Sequence, residues 1–412
     1  MFSFFQTLIA EMRTMPRALW VLTGGQFINR FGSFVFPFMA LYLQERGLSL
    51  AQVASVLGAI SVGGTIAPFV GGYLADAIGR RNTIVISLVG SALTVLAMYY
   101  SPSYASLLAL AVLHGVLTYM FGPASNALLT DLVPPEKRVV AFAIFRLALN
   151  AGFAAGPAVA GYLFTRSPAL IFWGDAVTTL IFAVLAWTLL PHGLRTVKGR
   201  VSSPRVVWQS WRDASRDAWT NKPFLQLLAA KLLMAVAFVQ VFNVLALDAT
   251  GRGLSMVDYG IVMGFNGLII MLVELPLAQW IKRYSPRLIS GLGFALIGIG
   301  CASFALVETM TGFLMAMALF TLGEMIALPI SAAYGAQLAT AAYRGRYFGF
   351  FSIMWGLSAM VGSAGVWVYG QVGLHWWWFT GGFGLAAGAL MLFRFEDHRA
   401  GAAEPADRTG AS

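Results

Sequence analysis

Twelve stretches of this chain are apolar on every face and long enough to cross a hydrocarbon core, which takes about 20 residues as a helix. They lie at 18–43, 51–75, 83–100, 104–130, 139–164, 168–190, 224–249, 256–281, 288–306, 311–338, 346–370 and 376–394. Strands of a membrane barrel alternate apolar and polar residues over about ten positions. These runs are longer and do not alternate, so the expected fold is all-α and integral to a membrane, with twelve transmembrane helices. Composition agrees where the alternatives would differ. Only 11% of residues are charged, against about 25% in a soluble domain, and so apolar a chain is not disordered. The single cysteine, Cys301, has no partner for a disulfide within the chain.

The net charge of +10 is informative only by position. Of the 27 Lys and Arg residues, Arg30, Arg146 and Lys231 fall inside spans, and Arg46, Arg166 and Arg252 fall in loops on one side. All the rest fall in loops and tails on the other side. Positive residues stay on the cytoplasmic side, so both termini are expected there, with membrane lipids as partners. Basic residues scattered over separate loops exclude a nucleic-acid partner. The first 16 residues lack the small-residue cleavage site of a signal peptide. Phe2, Phe5, Ile9 and Met12 stand near helical spacing, which suits either a short interfacial helix or an ordinary lead-in.

The chain divides into an N-terminal six-helix bundle (1–190), a polar linker (191–222), a C-terminal six-helix bundle (223–395) and a polar tail (396–412). Part of the linker, 206–218, suits a helix on the membrane surface. The halves read as copies. Residues 73–93 and 276–296 align without a gap, pairing Leu74 with Leu277, Ala75 with Ala278, Ile78 with Ile281, Arg80 with Arg283, Ser87 with Ser290 and Gly90 with Gly293. A second register pairs Pro123 with Pro329, Arg138 with Arg344, Phe142 with Phe348 and Phe145 with Phe351. Two pseudo-symmetric bundles are how secondary transporters are built, with the substrate site between them near the midplane.

The loop after the second span reads Gly72-Tyr73-Leu74-Ala75-Asp76-Ala77-Ile78-Gly79-Arg80-Arg81. It closely resembles the signature loop of the major facilitator superfamily, and the resemblance extends over about residues 17–395. Physically, Gly72 would let helices approach closely, Gly79 would permit a tight turn, and Asp76 could pair with Arg80 or with the other half. The fifth span carries Gly152, Gly156, Pro157, Ala160 and Gly161 in a pattern similar to the Gly-Pro motif of the family's drug:proton antiporters. The stretch 323–349, with Glu324, Pro329 and Arg344, resembles bacterial multidrug-resistance members. Two departures stand out. Gln279 replaces the signature Asp in the second half, and Ala111, with His114 three residues on, stands where many of these antiporters have an Arg.

Ionisable residues inside a bilayer cost roughly 2.5–3.5 kcal/mol each on insertion scales and normally face the bundle interior. Gln26, Asn29 and Arg30 share one face of the first span. Their spacing is similar to a Glu-x-x-Glu-Arg-Phe motif of proton-coupled peptide transporters, but both acids are amides here. Arg30 does not titrate, so its expected role is to hold an anion or to lower the pKa of a nearby carboxylate, with Gln26 and Asn29 adding polar contacts to the substrate; the alternative is a structural interhelix hydrogen bond. Glu324, central in the tenth span, is the first choice for a proton carrier. Glu274, toward the inner end of the eighth, could couple, gate or pair with an Arg. Asp175 reads as an interhelix partner. Lys231 and Arg146 read as side chains snorkelling to the cytoplasm, with a salt bridge from Lys231 to Glu274 or Glu324 as the alternative. Phe38, Tyr119, Phe238, Tyr334 and Trp355 are candidate lining residues of a substrate cavity.

No phosphate-binding Gly-rich loop, His/Cys cluster or nucleophile elbow occurs in the sequence. The expectation is therefore not an enzyme, with no metal and no cofactor. It is a monomeric secondary transporter in a bacterial inner membrane, moving protons and a small-molecule substrate. Multidrug-type export of amphipathic molecules is the reading implied by the resemblance. A symporter or facilitator for a sugar, an organic anion or a lipid-like solute is the alternative.

Overall fold

The computed structural model describes residues 14–192, 204–281, 283–339 and 344–393, which are helical with no strand among them. The amphipathic stretch at 2–12, linker residues 193–203 and the tail from 396 lie outside the described residues. The first span comprises α1 (Arg17–Phe31) and α2 (Val35–Glu45), the second α3 (Leu50–Ala77), and the third α4 (Arg80–Tyr99). The fourth comprises α5 (Tyr104–Tyr119) and α6 (Phe121–Leu132), the fifth is α7 (Arg138–Arg166), and the sixth α8 (Pro168–Leu189). A linker helix, α9 (Pro204–Thr220), precedes the seventh span, made of α10 (Lys222–Asn243) and α11 (Leu245–Gly251). The eighth is α12 (Met256–Ile281), the ninth α13 (Pro286–Ser303), and the tenth α14 (Met310–Leu338). The eleventh comprises α15 (Arg344–Ser363) and α16 (Gly365–Val372), and the twelfth is α17 (His375–Leu390).

Among the described residues, ten helices are long and apolar enough to cross a membrane. The first and twelfth spans fall short for different reasons. The twelfth is a helix of 16 residues. The first was expected to be continuous over 18–43, and instead breaks at residues 32–34. The side chain of Thr178 lies so close to Gly32 that any Cβ there would collide with it. The chain restarts where the Asp175 carboxylate accepts the Val35 N–H at 3.2 Å. A carboxylate at a helix N-terminus satisfies an orphan donor and the positive end of the helix dipole. Asp175 is thus an interhelix partner, as expected, and one with a definite task.

Several helix starts follow from local chemistry. Ser49 and Gln52 form a reciprocal capping box at α3, as do Ser103 and Ser106 at α5. Asn221 accepts the Phe224 N–H at 3.1 Å to open α10, and Thr309 accepts the Gly312 N–H at 3.2 Å to open α14.

Within the first half α4 packs on α8 and α3 on α5; within the second, α13 packs on α14 and α17, and α10 on α15. The repeat is visible here. A Cβ added at Gly90 would meet Leu117 on α5, and one at the matched Gly293 would meet Ala327 on α14. Each glycine lets the third helix of its half lie against the fourth. The halves meet along α7 and α12, along α3 and the α15–α16 pair, and between α2 and α10–α11. One end of the bundle carries the signature loop and the linker (the linker end); the other carries the loops at 46–49 and 252–255 (the far end). At the far end the halves are joined: the Tyr259 hydroxyl donates to the Pro37 carbonyl at 3.0 Å, and Phe36 lies 5.7 Å from Phe242.

Candidate functional site between the two halves

The seam between α7 and α12 is made of backbone. A Cβ at Gly260 would collide with the Pro157 carbonyl, at Gly264 with the Ala154 carbonyl, and at Gly161 with the Met256 carbonyl. At Gly267 it would sit 2.7 Å from the Ala154 nitrogen. The other side of α7 is equally tight against α1: a Cβ at Gly152 would lie 2.7 Å from the Phe27 carbonyl, and one at Gly156 would collide with the Phe31 carbonyl. The Gly-Pro segment is therefore sandwiched between the first span of its own half and the eighth span of the other. Pro157, which cannot donate a backbone hydrogen bond, turns its carbonyl toward Gly260.

Arg30 faces this region from α1. Its guanidinium lies 5.4 Å from the centroid of Phe153 on α7, and its Nε is buried with no hydrogen-bond partner. Asp175 and the Tyr119 hydroxyl are within electrostatic range. The expected polar group has separated. Asn29 donates to Thr179 at 3.0 Å, holding α1 to α8, while Gln26 is buried with an unpartnered carbonyl oxygen. Tyr119 keeps 47% of its surface exposed, so Arg30 borders accessible space.

From Phe153 a run of rings crosses to the second half. Phe153 lies 6.3 Å from Phe242, Phe242 5.4 Å from Phe238, and Phe238 5.3 Å from Trp355. Lys231 ends the run, its ammonium 5.7 Å from Trp355 and 5.0 Å from Phe351. It is only 7% exposed. This corrects the snorkelling expectation, since the ammonium lies over the two rings instead of reaching water, and among the described residues it pairs with neither Glu274 nor Glu324. Phe38 is corrected as well. It is fully buried between Phe164 and Tyr259 and offers no surface to a cavity in this conformation. Tyr334 is half-buried against the core.

The carboxylates lie in the second half. Glu324 on α14 accepts from the Asn266 amide at 2.8 Å, and the same amide contacts Thr321 at 2.9 Å. Arg146 of α7 forms an ion pair with Glu274 of α12 across the seam while keeping about half of its side chain exposed. Glu324 lies within electrostatic range of that pair.

At the linker end, Arg80 bridges Asp131 at 3.0 Å and Asp76 at 3.6 Å. Gly79 has φ of 98°, a conformation that only glycine adopts readily. Arg81 lies over Trp187 at 4.9 Å and contacts His192 at 2.6 Å, tying the loop to the end of the sixth span. Gly72 does not do what was expected of it, because a Cβ there would meet open space. It is Gly71 that lies against Met120: a Cβ added there would sit 2.6 Å from the Met120 carbonyl.

Sequence reasoning missed Asn266, Thr321 and Asp131, and also a buried network at the far end. There Asp248 pairs with Arg252 and accepts from Tyr369 at 2.8 Å and from Trp377 at 3.0 Å. Asp248 lies within one helical turn of Arg252, a usable signal of a pair. The neutral partners carry no such signal.

Residues 22–363 match the Major Facilitator Superfamily. The chain is 26% identical to the Na(+), Li(+), K(+)/H(+) antiporter of Planococcus maritimus, over 93% of this chain and 97% of that one. It is 26% identical to the multidrug resistance protein MdtH of Cronobacter sakazakii, over 80% and 81% of the two chains. Among solved structures, a POT family transporter in complex with 5-aminolevulinic acid superposes with a TM-score of 0.77 at 14% identity, covering 92% of this chain and 96% of that one. A D-xylose-proton symporter gives 0.72 at 15% identity, covering 90% and 96%. With its apolar helices, its two matched halves and a family match over most of its length, this multi-pass membrane protein belongs to the Major Facilitator Superfamily and is a secondary transporter, not an enzyme.

Proposed function

We propose that this transporter exports amphipathic small molecules in exchange for protons, by alternating access of the seam between residues 1–190 and 223–395, with 191–222 as the connecting linker. The linker end is the cytoplasmic one and both termini lie there. The membrane is the inner membrane of a bacterium and the transporter works as a monomer. The observation that carries this reading is Glu324. Its carboxylate sits mid-helix in an apolar span and is held by a neutral amide, and among the described residues no Lys or Arg forms an ion pair with it. A carboxylate so placed can change its protonation without breaking a salt bridge. Glu274, by contrast, is tied to Arg146 across the seam, so its protonation would release one half from the other. Proton uptake at Glu324 and release of the Arg146–Glu274 pair are then two steps of one cycle. Two relatives, a Na(+), Li(+), K(+)/H(+) antiporter and a multidrug resistance protein, support exchange and export respectively.

The test uses purified protein in liposomes holding a pH-sensitive dye, with lipophilic solutes and Na⁺ or K⁺ added in turn. Substrate addition should move protons through the wild type. Glu324→Gln should still bind substrate but move no protons. A Glu324→Gln protein that folds and transports with the wild-type pH dependence would remove Glu324 from the coupling role.

A further inference from the structure

We propose that the molecule carried is an amphipathic organic anion: a carboxylate or sulfonate on a flat apolar body, held along the ring run between Arg30 and Lys231. This rests on reading the seam as the substrate path, and specifies the charge of what travels there. Two cations end one run of rings. Arg30 forms no ion pair among the described residues, and its Nε is buried with no acceptor. Lys231 is buried, with its ammonium over Trp355 and Phe351 and no carboxylate paired to it among the described residues.

Among the described residues, the nearby acids make their direct contacts with other groups. Asp175 caps α2 through the Val35 N–H, Glu274 holds Arg146, Asp248 holds Arg252, and Glu324 accepts from Asn266. Among the described residues neither Arg30 nor Lys231 therefore has a carboxylate in direct contact, although Asp175 lies within electrostatic range of Arg30, and an unpaired charge is expensive there. A ligand of the opposite sign supplies what the protein withholds, through charge-assisted hydrogen bonds to Arg30 or Lys231. A cationic ligand would meet the reverse situation. The faces of Phe153, Trp355 and Phe351, which would attract a cation, are already covered by the protein's own cations. The rings between them come from both halves, Phe153 from the first and Phe238, Phe242 and Trp355 from the second; Phe153 and Phe238 are buried in this conformation while Phe242 and Trp355 keep some surface, so a flat body would lie on Phe242 and Trp355 and reach the others as the halves move.

Three probes of one shape test this on the full-length protein: 2-naphthoate, neutral 2-naphthamide and cationic 2-naphthyltrimethylammonium. Binding is read by tryptophan fluorescence and flux in dye-loaded liposomes. The naphthoate should bind about tenfold or more tightly than the other two, and Arg30→Gln and Lys231→Gln should each weaken it by about tenfold. The amide should bind these variants as it binds the wild type, which also shows that they are folded. Lys231→Arg should retain naphthoate binding. Lys231→Met should melt no lower than the wild type, because it removes an uncompensated buried charge. Tighter binding of the ammonium, or naphthoate binding that ignores both substitutions, overturns the assignment. Proton movement with the ammonium and none with the naphthoate also overturns it, while leaving proton-coupled export standing. Naphthoate flux that needs Arg30 and Lys231 but moves no protons supports the anion and removes the coupling.

Discussion

The two halves share a scaffold and differ in what their charges do. In the first half the loop after the second span is held by Arg80 between Asp131 and Asp76. At the matching register of the second half Arg283 is exposed, and the acids are replaced by Gln279 and Gln337. The exchange runs the other way in the membrane interior. Glu274 and Glu324 of the second half correspond to Gly71 and Thr118 of the first. At this loop one copy has kept an ion-pair network that the other lacks. In the interior the other copy carries the two carboxylates proposed to couple protons. Pseudo-symmetry of backbone thus coexists with a division of labour that a repeat alone would not show.

The largest expected effect tests the half proposed to couple protons: Glu324→Gln should abolish substrate-dependent proton movement, whereas Thr118→Val at the matched position should leave it measurable, both by dye-loaded liposome assay. Next comes the fixed half. Arg80→Ala removes the ion pairs that Arg80 makes with Asp131 and Asp76 and should cost about 3 kcal/mol of stability. Arg283→Ala, exposed, should change stability by less than about 0.5 kcal/mol. Apparent melting temperatures of the purified variants compare the two, and equal shifts would contradict the division. A smaller effect is expected at the seam: Gly260→Ala should cost about 1–3 kcal/mol by overpacking against Pro157 and slow transport. The smallest contrast is within one motif. Gly79→Ala is strained by its positive φ and should lose about 1 kcal/mol, while Gly72→Ala, facing open space in a helix, should gain up to about 1 kcal/mol.

How far these features could be read from sequence follows from what each leaves in it. Span positions were legible because burial in lipid demands unbroken apolar runs. The break at Gly32 was not, because it depends on Thr178 and Asp175, two residues far off in the chain that pack against it. Arg30 and Glu324 announce themselves as charges in apolar runs. Asn266 and Thr321 do not, since neutral polar residues are common in spans and acquire meaning only when tertiary packing brings them to Glu324. Gly71 and Gly72 are adjacent and alike in sequence; only the rotation of α3 about its axis decides which one faces Met120. Phe38 continues the Arg30 face by helical spacing, but the break at residues 32–34 interrupts that helix before it.

The glycine-lined contact between α7 and α12 has a mechanical consequence. Most helix pairs lock because side-chain ridges of one sit in grooves of the other, so sliding them means lifting knobs out of holes. Where Gly161, Gly260, Gly264 and Gly267 bring backbone directly against backbone, there are few knobs to lift. In the proposed alternating-access cycle that contact would behave as a plain bearing: it would keep two large bodies pressed together over several turns while offering little friction to their rotation. Adding even single methyl groups to it would act as grit, slowing the motion without touching any group that binds or titrates.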